Sequence, residues 1–204
     1  MFARDYGAMI MMVVGFVAGG FILAITYTWD MMWPWALLCL VFFIPSLCLL
    51  IFFRDPPRRI GEGYVSPADG KVIIIDRKGG FQRVCIFMSP LNVHVNRAPC
   101  DAHVMDMQYH EGTFAIASDK EAEENERMHW YLKGAKGKVE VVQIAGMVAR
   151  RIVPYLEVGA EVKKGDRIGH IAFGSRVDLY LPKRVRLEVS VGQRVKAGST
   201  TIGR

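Results

Sequence analysis

A mainly β fold, a compact sandwich or barrel-like hybrid of short strands preceded by a membrane-spanning or membrane-embedded helical hairpin, is what these 204 residues predict. Two long uncharged apolar stretches occupy the first quarter of the chain, and β-branched runs bounded by Gly, Pro, Asp or Asn fill much of the rest. Near the C-terminus one strand-turn-strand pattern occurs twice. With 51% hydrophobic and 23% charged residues, disordered and low-complexity classes are excluded.

The first element is the hairpin, over residues 1–53. No charged residue occurs from Tyr6 to Trp29, nor from Met31 to Phe53, and each run is long enough to cross a hydrocarbon core of about 30 Å. A cleavable secretory signal would carry a single apolar stretch of about 7–15 residues and a small-residue cleavage site, so a retained hairpin is expected instead. Asp30, with Tyr27, Trp29, Trp33 and Trp35 around it, suits a turn at a membrane–water boundary, and Pro34 suits the first turn of the second helix. Arg4 before the first run and Arg54, Arg58 and Arg59 after the second place both ends on the cytoplasmic side of the cell (inner) membrane. Pro45 leaves open whether the second helix crosses or the hairpin dips into one leaflet.

Residues 54–60 form a basic, Pro-rich linker, stiffened by Pro56-Pro57, and residues 61–204 form one globular domain. Strands are expected at Lys71–Ile75, Arg83–Met88, Lys138–Ile144 and Arg184–Val191, with a short helical or irregular stretch at Asp119–Arg127. Cys39 and Cys48 fall in the second apolar run, while Cys85 and Cys100 are isolated, so neither a disulfide framework nor a zinc site is indicated. Val158-Gly-Ala-Glu-Val-Lys-Lys-Gly165 returns as Val191-Gly-Gln-Arg-Val-Lys-Ala-Gly198, each copy reading as strand, glycine turn and strand. This echo resembles the paired half-motifs of biotinyl and lipoyl carrier domains.

Three segments carry residue types suited to chemistry. In Val65-Ser-Pro-Ala-Asp-Gly-Lys-Val72, Asp69 sits in a Pro/Gly turn, where an aspartate ordinarily caps backbone amides. In Met88-Ser-Pro-Leu-Asn-Val-His-Val-Asn-Arg-Ala-Pro99, strand alternation points His94 away from Val93 and Val95, towards a cleft or solvent. In Ile171-Ala-Phe-Gly-Ser-Arg-Val-Asp178, Gly174-Ser175 lies between apolar flanks rather than in a polar turn. A hydroxyl directly after glycine has unobstructed access to the preceding carbonyl; the plain alternative is a bulge where backbones approach closely.

Ser66-Pro-Ala-Asp-Gly70, Ser89-Pro-Leu-Asn-Val-His94 with Arg97-Ala-Pro99, Asn125-Glu-Arg127 and Phe173-Gly-Ser-Arg176, in this order and with the apolar N-terminus, resemble the phosphatidylserine decarboxylase family in its short, archaeal and bacterial form. The resemblance implies that the chain cleaves itself between Gly174 and Ser175, that Ser175 becomes a covalent pyruvoyl group, and that the products 1–174 and 175–204 stay together. It further implies a Ser175 nucleophile, a His94 base and an Asp69 that orients the imidazole. The pyruvoyl group would serve as the electron sink for decarboxylating a serine phospholipid to its ethanolamine counterpart, with no metal and no separate cofactor. Arg97 and Arg176 are candidates to hold substrate phosphate or carboxylate, and Asn125, Glu126 and Arg127 a supporting polar network. Arg97 stands where the long bacterial forms have a second histidine, and Arg176 where they have threonine, which leaves open whether His94 serves both self-cleavage and decarboxylation.

His103, His110, His129 and His170 lack close metal-ligand spacing and read as structural or surface residues. Scattered basic residues without a stacking motif argue against nucleic acid, and a membrane phospholipid is the expected partner. A homodimer is left open. The alternative from another class is a membrane-anchored biotinyl-like carrier or adaptor, although Lys163, Lys164 and Lys196 lack the methionine flanks of a modified carrier lysine.

Overall fold

The computed structural model describes residues 11, 14–15, 17–22, 40–41, 43–44, 46–47, 50–112, 125–146, 152–171 and 175–204. Two units are distinguished, Met1–Asp55 and Pro56–Arg204. In the first, the described residues within 11–22 and 40–52 are helical. Among them no helix is long and apolar enough to cross a membrane, so the expected spanning hairpin is not supported by the described residues. The proposed turn around Asp30, together with Pro34 and Pro45, lies outside them.

The regular elements among the described residues of the second unit are all strands: β1 (Tyr64–Val65), β2 (Gly70–Lys78), β3 (Phe81–Met88), β4 (Val95–Arg97), β5 (Ala102–His110), β6 (Arg127–Gly134), β7 (Gly137–Ala145), β8 (Ile152–Pro154), β9 (Glu161–Val162), β10 (Arg167–Ile171), β11 (Ser175–Pro182), β12 (Arg194–Val195) and β13 (Thr201–Gly203). Eight strands make one antiparallel sheet in the order β12-β2-β3-β11-β7-β6-β5-β9, beside a three-stranded sheet β4-β10-β8 and the pair β1-β13. Alternation decides the inner face. Val177, Leu179 and Leu181 are fully buried in the core between Arg176, Asp178 and Tyr180, and Met128, Trp130 and Leu132 do the same in β6. Burying each such apolar side chain stabilises the fold by about 1.5–3 kcal/mol.

The order of the large sheet is palindromic, and the contacts show why. Lys71 and Gly70 pair with Arg194 and Val195, as His103 and Ala102 pair with Glu161 and Val162. The register shifts at Val72/Ile74 in β2 and at Val104/Asp106 in β5. Gly192 N donates to Val72 O as Gly159 N does to Val104 O, both at 2.8 Å, and Gly198 N donates to Ser66 O as Gly165 N does to Ala98 O. The domain is thus a two-fold repeat whose axis passes between β11 and β7, and the two echoed segments are its opposite edges. The fold is mainly β, as expected, and its two similar halves share one curled sheet.

The edges meet. A Cβ built on Gly198, whose φ is +72°, would lie 3.7 Å from the Gly165 Cα, so the sheet is curled enough to bring its two edge turns together. Between them, Val65 N donates to Pro99 O and Arg97 N to Pro67 O. Residues 184–191, expected as a strand, instead follow a turn and hold only an isolated Leu187–Gly203 bridge with bonds between Arg186 and Arg204 and from Glu188 N to Ile202 O. The reason is that no long strand lies beside them, although Val185 is still drawn into the core.

Candidate active site

Ser175 opens β11, with Met88 of β3 and Ala145 of β7 as its cross-strand neighbours. It is completely buried, and its hydroxyl donates to the Met88 thioether at 3.4 Å. A thioether is a weak acceptor, so among the described residues the buried hydroxyl meets no strong bond that would oppose its reaction. Gly174 lies outside the described residues.

His94 reaches this place through a tight loop. Asn92 Oδ1 accepts from both Ser89 N and Ser89 Oγ at 2.8 Å, and Asn92 N donates back to Ser89 O, closing the Ser89-Pro-Leu-Asn92 turn. The His94 ring is buried, with Nδ1 2.9 Å from Asn92 O. A carbonyl can only accept, so Nδ1 carries the proton of the neutral imidazole and Nε2 is the basic nitrogen. The His94 carbonyl accepts from Ile171 N at 3.2 Å, tying the loop to the chain four residues before Ser175.

A polar chain unforeseen in the sequence runs to the same serine. Trp130 Nε1 donates to Gln143 Oε1 at 2.7 Å, Gln143 Nε2 donates to Asn96 Oδ1 at 2.7 Å, and Asn96 Nδ2 lies 3.7 Å from the Met88 sulfur that Ser175 also contacts. Every member is fully buried. The available signal was Gln143 itself, a polar residue on the face of β7 otherwise occupied by Val139 and Val141.

The other candidates find different partners. Asp69 accepts from Ala197 N at 2.7 Å and binds Arg58 Nη2 at 2.7 Å. Its repeat counterpart Asp101 accepts from Lys164 N at the same distance, so capping an edge turn belongs to both halves. Arg97 donates to Gly165 O and Pro56 O, fastening backbone. Arg176 points to the face opposite Ser175 and holds Asp178 through two bonds of 2.8 and 2.9 Å. Asn125 donates to Ala145 O at 2.7 Å and Glu126 O accepts from Ala145 N, so this segment braces the strand neighbour of Ser175; Arg127 Nη1 contacts Asn125 O. His170 is buried against the Tyr155 hydroxyl at 2.8 Å.

Electrostatics follow from burial. Burial works to lower the Arg176 pKa, but the Asp178 pairing outweighs it and raises it. The Cys85 thiol is pushed up by burial and by nearby Asp178, and Cys100 is pushed up to about 11 by burial with Asp101 adding to it. Both are free thiols. Among the described residues no three His, Cys, Asp or Glu side chains form a group able to hold a metal ion.

Residues 46–203 match the sequence model of the phosphatidylserine decarboxylase family. The phosphatidylserine decarboxylase proenzyme of Streptomyces avermitilis is 55% identical over 158 residues, covering 76% of this chain and 74% of the relative. That of Zymomonas mobilis is 41% identical over 210 residues, covering 94% and 82%. That of Chlorobaculum tepidum is 42% identical over 197 residues, covering 82% and 91%. With the match spanning the whole β unit and the buried serine at the head of β11, the chain belongs to the phosphatidylserine decarboxylase family.

Proposed function

We propose that this chain is a proenzyme that cleaves itself between Gly174 and Ser175 and then decarboxylates phosphatidylserine, or a related serine phospholipid, to the ethanolamine lipid. The observation that carries this is the fully buried Ser175 hydroxyl, whose bond among the described residues is to a thioether, beside a chain segment tied to His94. Ser175 Oγ attacks the Gly174 carbonyl carbon while His94 Nε2 takes the hydroxyl proton and returns it to the departing Ser175 nitrogen, leaving an ester. Loss of the Ser175 α-proton then breaks the Cβ–O bond, giving a Gly174 carboxylate and a dehydroalanine, whose imine tautomer water hydrolyses to pyruvoyl and ammonia.

Small and apolar surroundings at position 175, Ala145 on one side and Met88 on the other, suit a compact uncharged ketone that must be kept dry. Once formed, the pyruvoyl group supplies the electron sink for loss of carbon dioxide. The chain's own residues do the rest: Asn92 holds His94 in the tautomer whose Nε2 exchanges protons, and Asn125 and Glu126 clamp Ala145 beside the reacting residue. Asp69 ties the Ser66–Gly70 segment to the Ala197 amide and to Arg58. Residues 1–53 serve as membrane anchor, 54–60 as basic linker and 61–204 as the catalytic domain at the cytoplasmic face of the cell membrane, a placement that the net charge of +6 favours on an anionic surface.

Ser175→Ala tests the reading. The variant should remain one chain and release no carbon dioxide from carboxyl-labelled phosphatidylserine. Cleavage or turnover that persists in it would refute the assignment.

A further inference from the structure

The buried chain from Trp130 through Gln143 to Asn96 has a fixed direction. An indole nitrogen only donates, so the Gln143 atom 2.7 Å from Trp130 Nε1 is its carbonyl oxygen, and the Gln143 amide nitrogen is turned the other way. That nitrogen donates to Asn96 at 2.7 Å, which makes the acceptor Asn96 Oδ1 and leaves Asn96 Nδ2 aimed at the Met88 sulfur, 3.7 Å away. The backbone makes room for this arrangement. A Cβ on Gly169, which pairs with Asn96, would lie 3.4 Å from Gln143 Nε2 and 2.6 Å from the Val153 oxygen.

Two donors therefore converge on one poor acceptor. The Ser175 hydroxyl reaches the same Met88 sulfur at 3.4 Å, so the Ser175 oxygen and the Asn96 N–H meet at a single atom. Gln143 lies on the Ser175 face of the sheet, two residues along β7 from Ala145, the cross-strand neighbour of Ser175. Asn96, Gln143, Met88 and Ser175 are all completely buried. A buried amide N–H ordinarily finds an oxygen. Here Gln143 and Trp130 hold it against a thioether instead, the geometry of a donor set for charge that appears only during reaction.

We propose that Asn96 Nδ2 donates to the Ser175 oxygen as self-cleavage breaks the chain, and so is a catalytic residue of that step. The assignment rests on the self-cleaving proenzyme reading above. In the ester, the Ser175 side-chain oxygen bridges its own Cβ and the carbonyl carbon of residue 174. His94 Nε2, basic again after returning its first proton, takes the Ser175 α-proton, and the Cα–H electron pair becomes the Cα=Cβ bond. The Cβ–O pair departs on the oxygen, which becomes one oxygen of the new carboxylate. Negative charge thus grows on the atom next to the Asn96 N–H, in a dry site where such a bond is strongest. A neutral amide supplies it without taking up a proton, leaving proton transfer to His94.

The test follows the full chain, made by cell-free translation into detergent, by intact mass with and without hydroxylamine. Hydroxylamine splits the ester into a hydroxamate of residues 1–174 and a chain headed by unmodified Ser175. Without it, Asn96→Leu should break about a hundredfold more slowly than the parent. With it, the same variant should split readily to the serine-headed chain, because the ester still forms. Val139→Ala, a core truncation farther along β7, should break at the parental rate, which separates loss of the donor from loss of packing. Circular dichroism in the Ser175→Ala background shows which variants fold. Asn96→Ser, too short to reach the sulfur, replaces Asn96→Leu if leucine does not fold, with the same expectation. A folded Asn96 variant that breaks within about threefold of the parental rate overturns the proposal, and so does one that is equally slow in hydroxylamine. A parent that stays whole and resists hydroxylamine overturns the proenzyme reading, and this assignment with it.

Discussion

Replacing Gln143 by leucine removes the middle of the buried chain that ends at Ser175, with little change in volume. Gln143 accepts the Trp130 indole proton and donates to Asn96, each at 2.7 Å, and all three side chains are fully buried. The substitution leaves two buried polar groups unsatisfied, the indole N–H and the Asn96 carbonyl, at a cost of about 1–3 kcal/mol each. Added apolar burial offsets part of this, so the net loss should be about 2–4 kcal/mol. Urea denaturation of the full chain in the uncleavable Ser175→Ala background, followed by circular dichroism, reads this as a lower midpoint at unchanged slope. In a Trp130→Phe background, where the indole donor is already gone, the same substitution should cost about 1–2 kcal/mol less. A Gln143→Leu protein within about 0.5 kcal/mol of its parent, or strict additivity with Trp130→Phe, would show that this network does not hold the site.

Asp69→Asn and Asp101→Asn should each destabilise the domain by about 1–2 kcal/mol, since both carboxylates cap equivalent turns, but only Asp69→Asn should slow self-cleavage measured by gel, because its turn adjoins the Ser89–Asn92 loop; equal slowing by both would count against this. His94→Gln should block cleavage while leaving the circular dichroism spectrum unchanged, and processing at the parental rate would remove His94 as the base. Gly70→Ala would drive a Cβ into the Phe87 carbonyl oxygen and to within 2.9 Å of Ile86, and should destabilise the β2–β3 pairing by about 1–3 kcal/mol in the same urea assay. The Cys100 thiol, raised from 9.0 to about 11, favours folding while protonated; that contribution is full below pH 9 and is lost as pH rises towards 11. The parent should therefore lose stability more steeply than Cys100→Ala over that interval, and parallel profiles would contradict the burial of the thiol.

Much of the fold was legible because its signals are local. β-branched alternation located β2, β3 and β7, and the glycines of the echoed segments persisted because Gly159, Gly165, Gly192 and Gly198 all take positive φ. The palindrome itself was hidden, since the pairing of β11 with β7 joins segments far apart in sequence and only the edges kept a recognisable likeness. The segment from Arg184 to Val191 shows the converse, an alternating pattern that meets only the short β13 and its end, through an isolated bridge and a few bonds.

The site divided in the same way. Short motifs singled out Ser175, His94 and the Asn125–Arg127 segment; in the structure Ser175 lies beside Ala145, Asn125 and Glu126 bond the Ala145 backbone, and the His94 carbonyl bonds Ile171 N. Arg97 and Arg176 were read as substrate-holding charges, yet each is committed to protein partners. For Arg176 this was partly readable, because Asp178 lies two residues on and so shares its face of the strand. For Arg97 it was not, since the Gly165 carbonyl comes from the other repeat's turn.

Whether Ser175 reacts with the bond before it is read from the intact mass of the purified protein under denaturing conditions. Two chains are expected, 1–174 and 175–204, the shorter one lighter by one ammonia than its sequence requires. A single chain of unmodified full-length mass, persisting after incubation across a range of pH, would contradict it.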